Sequence, residues 1–302
     1  MLIDQFLEYL KYEKRFAKNT VTFYEIDINQ YYKFLKKDIL VSDFDEIAAF
    51  SNEEFIKKWM VYLKKEKNTS AATINRKISS LKSFAKYLIK IDKIKISPLD
   101  KILSLKNKKR LPTFVQENKM NYLEEKKFLL FTNDYAGIRD KFILELFYNT
   151  GMRLSELLNL KHKDFDLYSK TVKVLGKRNK ERLIPLNAYI INMYMEYIEK
   201  KNEEKYLCEN DNWLFITDKG KKMYPKFVYL KVVHYLSLIT EQKKKSPHVL
   251  RHTFATHMLN NGAELNAIKE ILGHSSLSAT QIYTHNSFKK IKKIYKQSHP
   301  RS

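Results

Sequence analysis

The sequence predicts a mainly α-helical chain of two domains with one small β-hairpin or sheet. Apolar residues recur at helical spacing through most of its 302 residues. The stretch TVKVLGKRNKERLIPL, from Thr171 to Leu186, alternates apolar and polar residues on both sides of a glycine, which predicts the hairpin. A chain of this length can bury one large core or two ordinary ones. We therefore divide it into residues 1–97, a linker at 98–112 and residues 113–302.

Four helices are predicted in the first hundred residues. The first two follow apolar stripes that begin at Leu2 and Val21. A capping-box pattern of Ser51 and Glu54 opens the third helix, and the fourth begins after Ser70. Away from its apolar face the fourth helix carries Arg76, Lys77, Lys82 and Lys86. These basic side chains form either an ordinary solvated surface or a face that follows DNA phosphates.

The stretch from Pro98 to Pro112, PLDKILSLKNKKRLP, is predicted to connect the two domains. It mixes prolines with basic residues, and few of its residues can join a core, which indicates a linker. Its basic cluster can lie along a duplex and includes Lys108, Lys109 and Arg110.

Helical patterns dominate the second domain as well. Gly151 in NTGMRLSELLNL indicates a turn between two helices. After the hairpin, residues 213–217 can form a further short strand. Two more helices are predicted from about residue 247 to 261 and from about residue 264 to 272, and each is followed by a glycine.

Basic residues greatly outnumber acidic ones. The chain has 57 Lys and Arg against 34 Asp and Glu, which leaves a net charge of +23. This excess suits a polyanion such as nucleic acid, although a lysine-rich proteome produces the same balance. Cys208 is the single cysteine, which excludes a disulfide within the chain and a cysteine-rich zinc site and fits a reducing compartment. With neither a signal peptide nor a membrane span in the sequence, the expected location is the cytoplasm.

Five histidines, one arginine and one tyrosine fall within the 38 residues from His248 to His285. His248 and His252 have the i, i+4 spacing of a metal-binding helix, but Arg251 between them would repel a cation, and no HExxH motif occurs. We therefore expect no metal. We interpret His252 and His257 as structural, hydrogen-bonded or exposed. The P-loop motif of nucleotide-binding ATPases is also missing from the sequence.

Chemistry on a phosphodiester is the other interpretation of these residues. Arginine presents a planar, permanently charged fork that matches the non-bridging oxygens, and Arg251 lies three residues after His248. Arg153 can supply a second fork, or it can form an ordinary surface pair with Glu156. Tyr283 is a candidate nucleophile, but a phenol with a pKa of about 10 needs nearby cations and a base.

Four blocks in the second domain carry a family resemblance. In order, they read GMRLSELLNL, VLGKRNKERLIPL, HVLRHTFATHML and LGHSSLSATQIYTH. They resemble the signature blocks of the tyrosine recombinase (phage integrase) family, and their wording is similar to that of the Xer recombinases. The helical first hundred residues resemble the SAM-like core-binding domain of the same family. The resemblance implies a two-domain DNA clamp, in which residues 1–97 bind DNA and residues 113–302 form the catalytic domain with a C-terminal tail helix.

The resemblance also implies a set of catalytic residues. The matching positions are Arg153, Lys177, His248, Arg251, His274 and the nucleophile Tyr283. Glu156 matches an acidic residue that supports the first arginine. One position departs from the pattern, because Arg178 stands where many Xer proteins have a turn glycine, which leaves Lys180 as an alternative to Lys177.

These matches imply that the chain cuts and rejoins DNA through a 3′-phosphotyrosyl intermediate, without metal, ATP or any other cofactor. The implied partner is double-stranded DNA, on which four copies, or copies of this chain and a paralogue, assemble through the C-terminal tail. The tail stripe that would dock consists of Phe288, Ile291, Ile294 and Tyr295, and the alternative is that it docks on its own domain. The resemblance allows an FtsK-type translocase as a further partner and a location at the nucleoid.

Resolution of chromosome dimers at a dif-like site is the expected role. A mobile-element integrase or a DNA invertase shares every catalytic residue, although many integrases carry an additional arm-binding domain for which the N-terminus leaves no room. Two further alternatives are a DNA-binding protein with a dead site and a type IB topoisomerase. The first is disfavoured because no catalytic position is missing, and the second because of the Xer-like N-terminal half.

Overall fold

α-Helices account for most of the chain that the computed structural model describes, namely residues 2–38, 47, 52–106, 113–176, 179–203, 213–273 and 285–301. The predicted mainly helical class with one small sheet is confirmed. The chain divides into two compact units, Met1–Arg110 and Leu111–Ser302. None of the helices in these described stretches combines the length and the apolar content needed to span a bilayer.

The described residues of the first unit contain the helices α1 (Leu2–Glu8), α2 (Lys18–Asp38), α3 (Glu53–Lys65) and α4 (Ala71–Lys90). A π-helical turn, Tyr9–Glu13, continues α1. The core is aromatic at its centre, where Phe6, Tyr31 and Trp59 are almost completely buried. Ser70 caps α4 as predicted, because its hydroxyl accepts a hydrogen bond from the Thr73 amide at 3.2 Å.

Two details of this unit differ from the sequence analysis. The N-cap of α3 is Asn52, whose side chain accepts from the amide of Glu54 at 2.9 Å, whereas the predicted cap Ser51 lies outside the described residues. In addition, Leu99 and Ile102 are buried in the core of this unit, although they belong to the stretch predicted as a linker. The first part of that stretch therefore packs against the helices, because its leucine and isoleucine cover apolar surface.

The second unit contains nine helices and three strands within its described residues. The helices before the sheet are α5 (Glu117–Glu125), α6 (Lys127–Leu130), α7 (Tyr135–Thr150) and α8 (Leu154–Leu157). After the strands come α9 (Ala188–Glu203), α10 (Pro225–Ile239), α11 (Pro247–Asn260), α12 (Leu265–Leu272) and α13 (His285–Ser298). Helix α7 is buried on nearly all sides and packs against α9 and α11, which makes it the centre of the core.

The sheet is antiparallel in the order β1 (Phe165–Asp166), β2 (Thr171–Leu175), β3 (Glu181–Pro185). Strands β2 and β3 form the predicted hairpin, with Val174 opposite Arg182. Strand β1 was not predicted, because two residues are too few to produce an alternating pattern. The strand predicted at residues 213–217 was wrong. Its apolar residues are buried consecutively, and only an isolated bridge from Ile216 forms.

The tail helix α13 docks on its own unit, which is the second of the two arrangements considered above. Ile291 and Tyr295 are buried in the core of that unit, and Ile294 packs against it. The side chain of Phe288 is outside the described part. Beyond the helix, the Arg301 guanidinium donates to the Met120 carbonyl at 2.8 Å, so the end of the tail is also held.

Candidate active site

The first element of the site is a turn at Gly151, whose backbone is in the left-handed conformation. Gly151 ends α7 with φ +58°, and its amide donates to the Phe147 carbonyl at 2.9 Å, which makes it a helix C-cap. A Cβ at this position would lie 2.6 Å from side-chain atoms of both Phe254 and Leu272. The turn is therefore tightly enclosed, and it places Arg153 at the N-cap of the short helix α8.

Arg153 is held by the carboxylate of Glu156, one turn further along the chain. Its amide donates to Oε2 at 2.7 Å, and its Nη1 donates to Oε1 at 2.8 Å. Its Nη2 donates to the carbonyl of Gly273 at 3.1 Å. Arg153 and Glu156 do form the i, i+3 pair of the alternative interpretation, but the pair is not a surface pair, because the Glu156 side chain is only 1% exposed.

Arg182 is a residue that the sequence analysis missed. It lies on the buried face of β3, where Nη1 and Nη2 donate to the two oxygens of Glu156, each at 2.8 Å. Its Nε donates to the Ile271 carbonyl at 2.6 Å. Burial alone would raise the pKa of the Glu156 carboxyl, but the hydrogen bonds and charge of Arg182, and then Arg153, lower it below the ordinary value. Glu156 is consequently ionised at neutral pH.

A sequence signal for Arg182 did exist. Residues on one face of a strand alternate, and Arg182 has the same parity as the apolar residue Ile184 in the predicted hairpin. A charged residue at an inward position of a strand requires a buried partner. That partner cannot be identified from the hairpin itself, because Glu156 lies 26 positions earlier in the chain.

Arg251 projects from the first turns of α11 toward the same place. Its Nη1 donates to the Gly151 carbonyl and its Nη2 to the Leu272 carbonyl, each at 2.6 Å. Burial lowers the pKa of this guanidinium to about 10, and the charge of Arg153 lowers it as well. Arg251 and Arg153 bind adjacent carbonyls, those of residues 272 and 273, so the structure brings the two arginines together. The Arg251 guanidinium remains cationic at neutral pH.

Three arginines bind three successive carbonyls at the C-terminal end of α12. Arg182 binds the carbonyl of residue 271, Arg251 that of 272, and Arg153 that of 273. The last carbonyls of a helix have no partner within the helix and carry partial negative charge, so guanidinium donors stabilise them. This helix end thus aligns the arginines side by side.

His248 lies exposed one turn before Arg251, in the first turn of α11. The N-cap of this helix is Ser246, whose side chain accepts from the Val249 amide at 3.4 Å. His252 is exposed, while His257 is buried with Nδ1 at 2.9 Å from the Tyr148 hydroxyl. The interpretation of these last two histidines as exposed or hydrogen-bonded is confirmed. Within the described stretches, no group of three or more His, Cys, Asp or Glu side chains is arranged to hold a metal ion.

Lys177, His274 and Tyr283, the remaining predicted catalytic residues, lie outside the described residues, as does Arg178. Gly176 and Gly273, which precede two of them in sequence, are described. The turn of the hairpin is closed by a hydrogen bond from the Gly176 amide to the carbonyl of Lys180 at 2.8 Å, and Lys180 is exposed.

The basic residues of α4 occupy different environments. Lys77 was expected on an outward face, either solvated or along DNA phosphates, and this was wrong: it is 7% exposed, with its ammonium 3.0 Å from a carboxylate oxygen of Asp27. Arg76 also pairs with Asp27, although its side chain is 44% exposed. The fully buried Asp27 carboxylate needs these donors, which explains why Lys77 turns inward.

Lys82 and Lys86 lie toward the outside of α4. Lys82 is half-buried and donates to the Ile102 carbonyl at 3.0 Å, which ties the chain after α4 to the helix. Lys86 is exposed one turn further along. The predicted linker residues Lys108, Lys109 and Arg110 lie outside the described residues.

The chain matches the models of two known protein families. Residues 118–290 match the phage integrase family, and residues 3–91 match the phage integrase N-terminal SAM-like domain. A protein of Chlorobaculum parvum named tyrosine recombinase XerC is 34% identical, with 99% of this chain and 94% of that protein covered. Its namesake in Staphylococcus carnosus is 37% identical over 99% of this chain and 97% of its own length.

A solved structure is similar as well. The XerH site-specific recombinase bound to a difH substrate, in a pre-cleavage complex, has a TM-score of 0.68 and 24% sequence identity to this chain. The match covers 98% of this chain and 82% of the XerH chain. At this level of identity the likeness concerns the fold.

Proposed function

The chain belongs to the phage integrase family of tyrosine recombinases, enzymes that cleave and rejoin DNA, and from this we propose that it resolves chromosome dimers at a dif-like site. The observation that carries the proposal is the alignment of Arg153 and Arg251 on adjacent carbonyls at the end of α12. Two cations side by side suit the two non-bridging oxygens of one phosphate, on which charge builds during attack. Full-length similarity to proteins named XerC supports the chromosomal role.

We propose that Tyr283 attacks the scissile phosphorus, with Arg153 and Arg251 holding the non-bridging oxygens and His274 assisting them. The new bond joins the tyrosine oxygen to the 3′-phosphate, while the bond to the 5′-oxygen breaks. His248 takes the phenol proton, and its exposed position beside Arg251 leaves it accessible to a reacting group.

Lys177 gives a proton to the leaving 5′-oxygen, a role suited to a lysine because desolvation lowers the pKa of an ammonium. Lys180 is the alternative donor. Rejoining reverses these steps with the 5′-hydroxyl of another strand as nucleophile. The phosphodiester energy is retained in the phosphotyrosyl bond, so the reaction requires neither metal nor ATP.

We propose residues 1–97, together with the packed start of the stretch 98–112, as the core-binding domain, the basic end of that stretch as the linker and residues 113–302 as the catalytic domain. In the first of these, DNA phosphates would lie along the outer face of α4. Lys82 and Lys86 lie one turn apart on this helix, Arg76 lies nearer its start, and each of the three has an exposed or half-buried side chain. We propose that the linker residues Lys108, Lys109 and Arg110 also contact phosphates, whereas Lys77 is left out because its ammonium is buried against Asp27.

Two synapsed sites would bring together four copies of this chain, or copies of this chain and of a paralogue. An amphipathic tail that docks on its own unit can dock equally on the same surface of a neighbouring copy, which is the exchange seen in domain swapping. We propose this exchange for α13, with an FtsK-type translocase as a further partner on the nucleoid in the cytoplasm. Deletion of the residues after Asn286 should then impair synapsis more than binding of a single copy.

Trapping of the covalent intermediate tests the function. A dif-like duplex from the organism, nicked opposite the predicted cleavage position, is incubated with protein in EDTA, and the products are separated on a denaturing gel. We expect a shifted band with the wild type and none with Tyr283→Phe, which should bind the duplex equally well. An adduct that persists in Tyr283→Phe would refute the assignment of the nucleophile.

The adduct assay, together with a relaxation assay on supercoiled plasmid, separates the competing roles. A mobile-element integrase or invertase would form the adduct on a different sequence, whereas relaxation of supercoiled plasmid without any target sequence would indicate a topoisomerase. Binding to every duplex without an adduct would indicate a dead site.

A further inference from the structure

We propose that Arg182 is a positioning residue of this site, which fixes the guanidinium of Arg153 by holding Glu156. The inference rests on the proposed function, because it assigns Arg182 a part in phosphate binding. All three guanidinium nitrogens of Arg182 donate to acceptors within the protein, so we assign it a role through its neighbours and not by contact with DNA.

Glu156 connects the two arginines. Each of its oxygens accepts one hydrogen bond from Arg182 and one from Arg153, the latter through the amide at Oε2 and through Nη1 at Oε1. Without Arg182, the carboxylate would keep only its two hydrogen bonds to Arg153, one of which comes from a partly exposed side chain. The bidentate fork of Arg182 anchors the carboxylate from the buried side, because its two parallel hydrogen bonds define the plane of the carboxylate independently of Arg153.

Arg182 also lies beside two glycines that flank the site. A Cβ on Gly273 would lie 3.1–3.3 Å from atoms of the Arg182 side chain, so this side chain packs directly against the turn after α12. A Cβ on Gly176 would lie 3.6 Å from Nη1 of Arg182 and 3.7 Å from Oε1 of Glu156. Gly273 and Gly176 directly precede two predicted catalytic residues in the sequence, His274 and Lys177.

One buried side chain on β3 therefore binds α8 and the end of α12, and it lies beside Gly176. Its Nε hydrogen bond to the Ile271 carbonyl adds the first of the three arginine contacts at the helix end. No other side chain within the described part of the site makes all of these contacts. Arg182 therefore aligns Arg153 in addition to packing within the core.

Arg182→Lys tests this inference, because lysine keeps the charge but presents a point donor in place of the fork. The nicked dif-like duplex serves as substrate, and the rate of adduct formation is measured in a single turnover at saturating protein. We expect the rate to fall by about 10- to 100-fold, as for other displaced reacting groups. The Kd for the duplex should change by less than about threefold, since all three guanidinium nitrogens of Arg182 are bound within the protein.

A double-mutant cycle with Arg153→Lys separates positioning from packing. If Arg182 acts through Arg153, then Arg182→Lys should slow the Arg153→Lys protein by only about two- to threefold, within the usual error of additivity. Arg139→Lys is the matched control: Arg139 is completely buried in the same unit and is paired with Asp140 and Asp218, away from the site. It should lose stability while cleaving at the wild-type rate at a temperature where it is folded.

The outcomes distinguish this inference from the proposed function. An Arg182→Lys protein that cleaves within about threefold of the wild-type rate would overturn the inference alone. So would an equal loss of rate in the wild-type and Arg153→Lys backgrounds, or an equal loss in Arg139→Lys. If the wild type itself forms no adduct on any duplex, the proposed function fails and the positioning role fails with it.

Discussion

Substitution of Gly151 by alanine should damage both the stability and the activity of the second unit. A residue with a Cβ pays about 1–2 kcal/mol in the left-handed conformation that φ +58° requires. The added methyl group would also meet Phe254 and Leu272 side-chain atoms at 2.6 Å, and such overpacking costs about 1–3 kcal/mol. We expect a total loss of about 2–5 kcal/mol in the free energy of unfolding.

Gly262→Ala provides the matched control. Gly262 has φ +82°, but its added Cβ would meet no atom within 4 Å, so only the backbone strain of about 1–2 kcal/mol applies. The chain has two tryptophans, Trp59 in the first unit and Trp213 in the second. Urea unfolding followed by Trp213 fluorescence, with all variants in a Trp59→Phe background, reports on the second unit.

The two glycines should also differ in their effect on cleavage. The Gly151 carbonyl accepts a hydrogen bond from Arg251, so a displaced turn moves this arginine, and adduct formation should slow by about 10- to 100-fold. Gly262→Ala should cleave at the wild-type rate. Equal destabilisation by the two substitutions would refute the steric part of the reasoning, and full activity in Gly151→Ala would refute the link from the turn to Arg251.

Three other predictions concern buried charges and the DNA surface. Burial lowers the pKa of His299 to about 3, so the folded protein keeps this histidine neutral, whereas the unfolded chain binds a proton below the ordinary histidine pKa. The free energy of unfolding should therefore fall by about 2 kcal/mol from pH 7 to pH 5, and urea titrations of His299→Gln should show a flatter pH profile. Asp27→Ala leaves the Lys77 ammonium buried without its carboxylate and should destabilise the first unit by about 3–5 kcal/mol, measured through Trp59 fluorescence; an unchanged midpoint would contradict this. Lys86→Ala should leave stability unchanged but weaken DNA binding and reduce the salt-dependence slope by about 1 in gel-shift titrations, and an unaltered slope would exclude a phosphate contact.

Local patterns explain why much of the fold was predictable. The hairpin from Thr171 follows from strand alternation around a glycine, and the start of α4 follows from the hydroxyl of Ser70. Such features depend on residues a few positions apart, so the chemistry that determines them is visible in the sequence. The cap of α3 illustrates the limit, because Ser51 and Asn52 are both good caps and the choice between them depends on how the helix packs.

The candidate site was predictable only as a set of residue types. The motifs identified Arg153, Glu156 and Arg251 as members of one site, because the family resemblance assigns them by position. Their mutual arrangement comes from the carbonyls at the end of α12, which bind arginines from β3, α8 and α11. Nothing in the local sequence of those elements indicates this, since the partners are separated by 21 to 120 positions.

Composition and periodicity predict the helical class, the hairpin and the excess of positive charge, and the family resemblance predicts the residues that would carry phosphodiester chemistry. Which charged side chains are buried depends on the folded arrangement of the chain. It pairs Lys77 with Asp27 inside the first unit, joins Arg182 to Glu156 in the second and docks the tail helix on its own unit. The physical reason is that a buried charge needs a partner in space, and the fold brings that partner from a distant part of the chain.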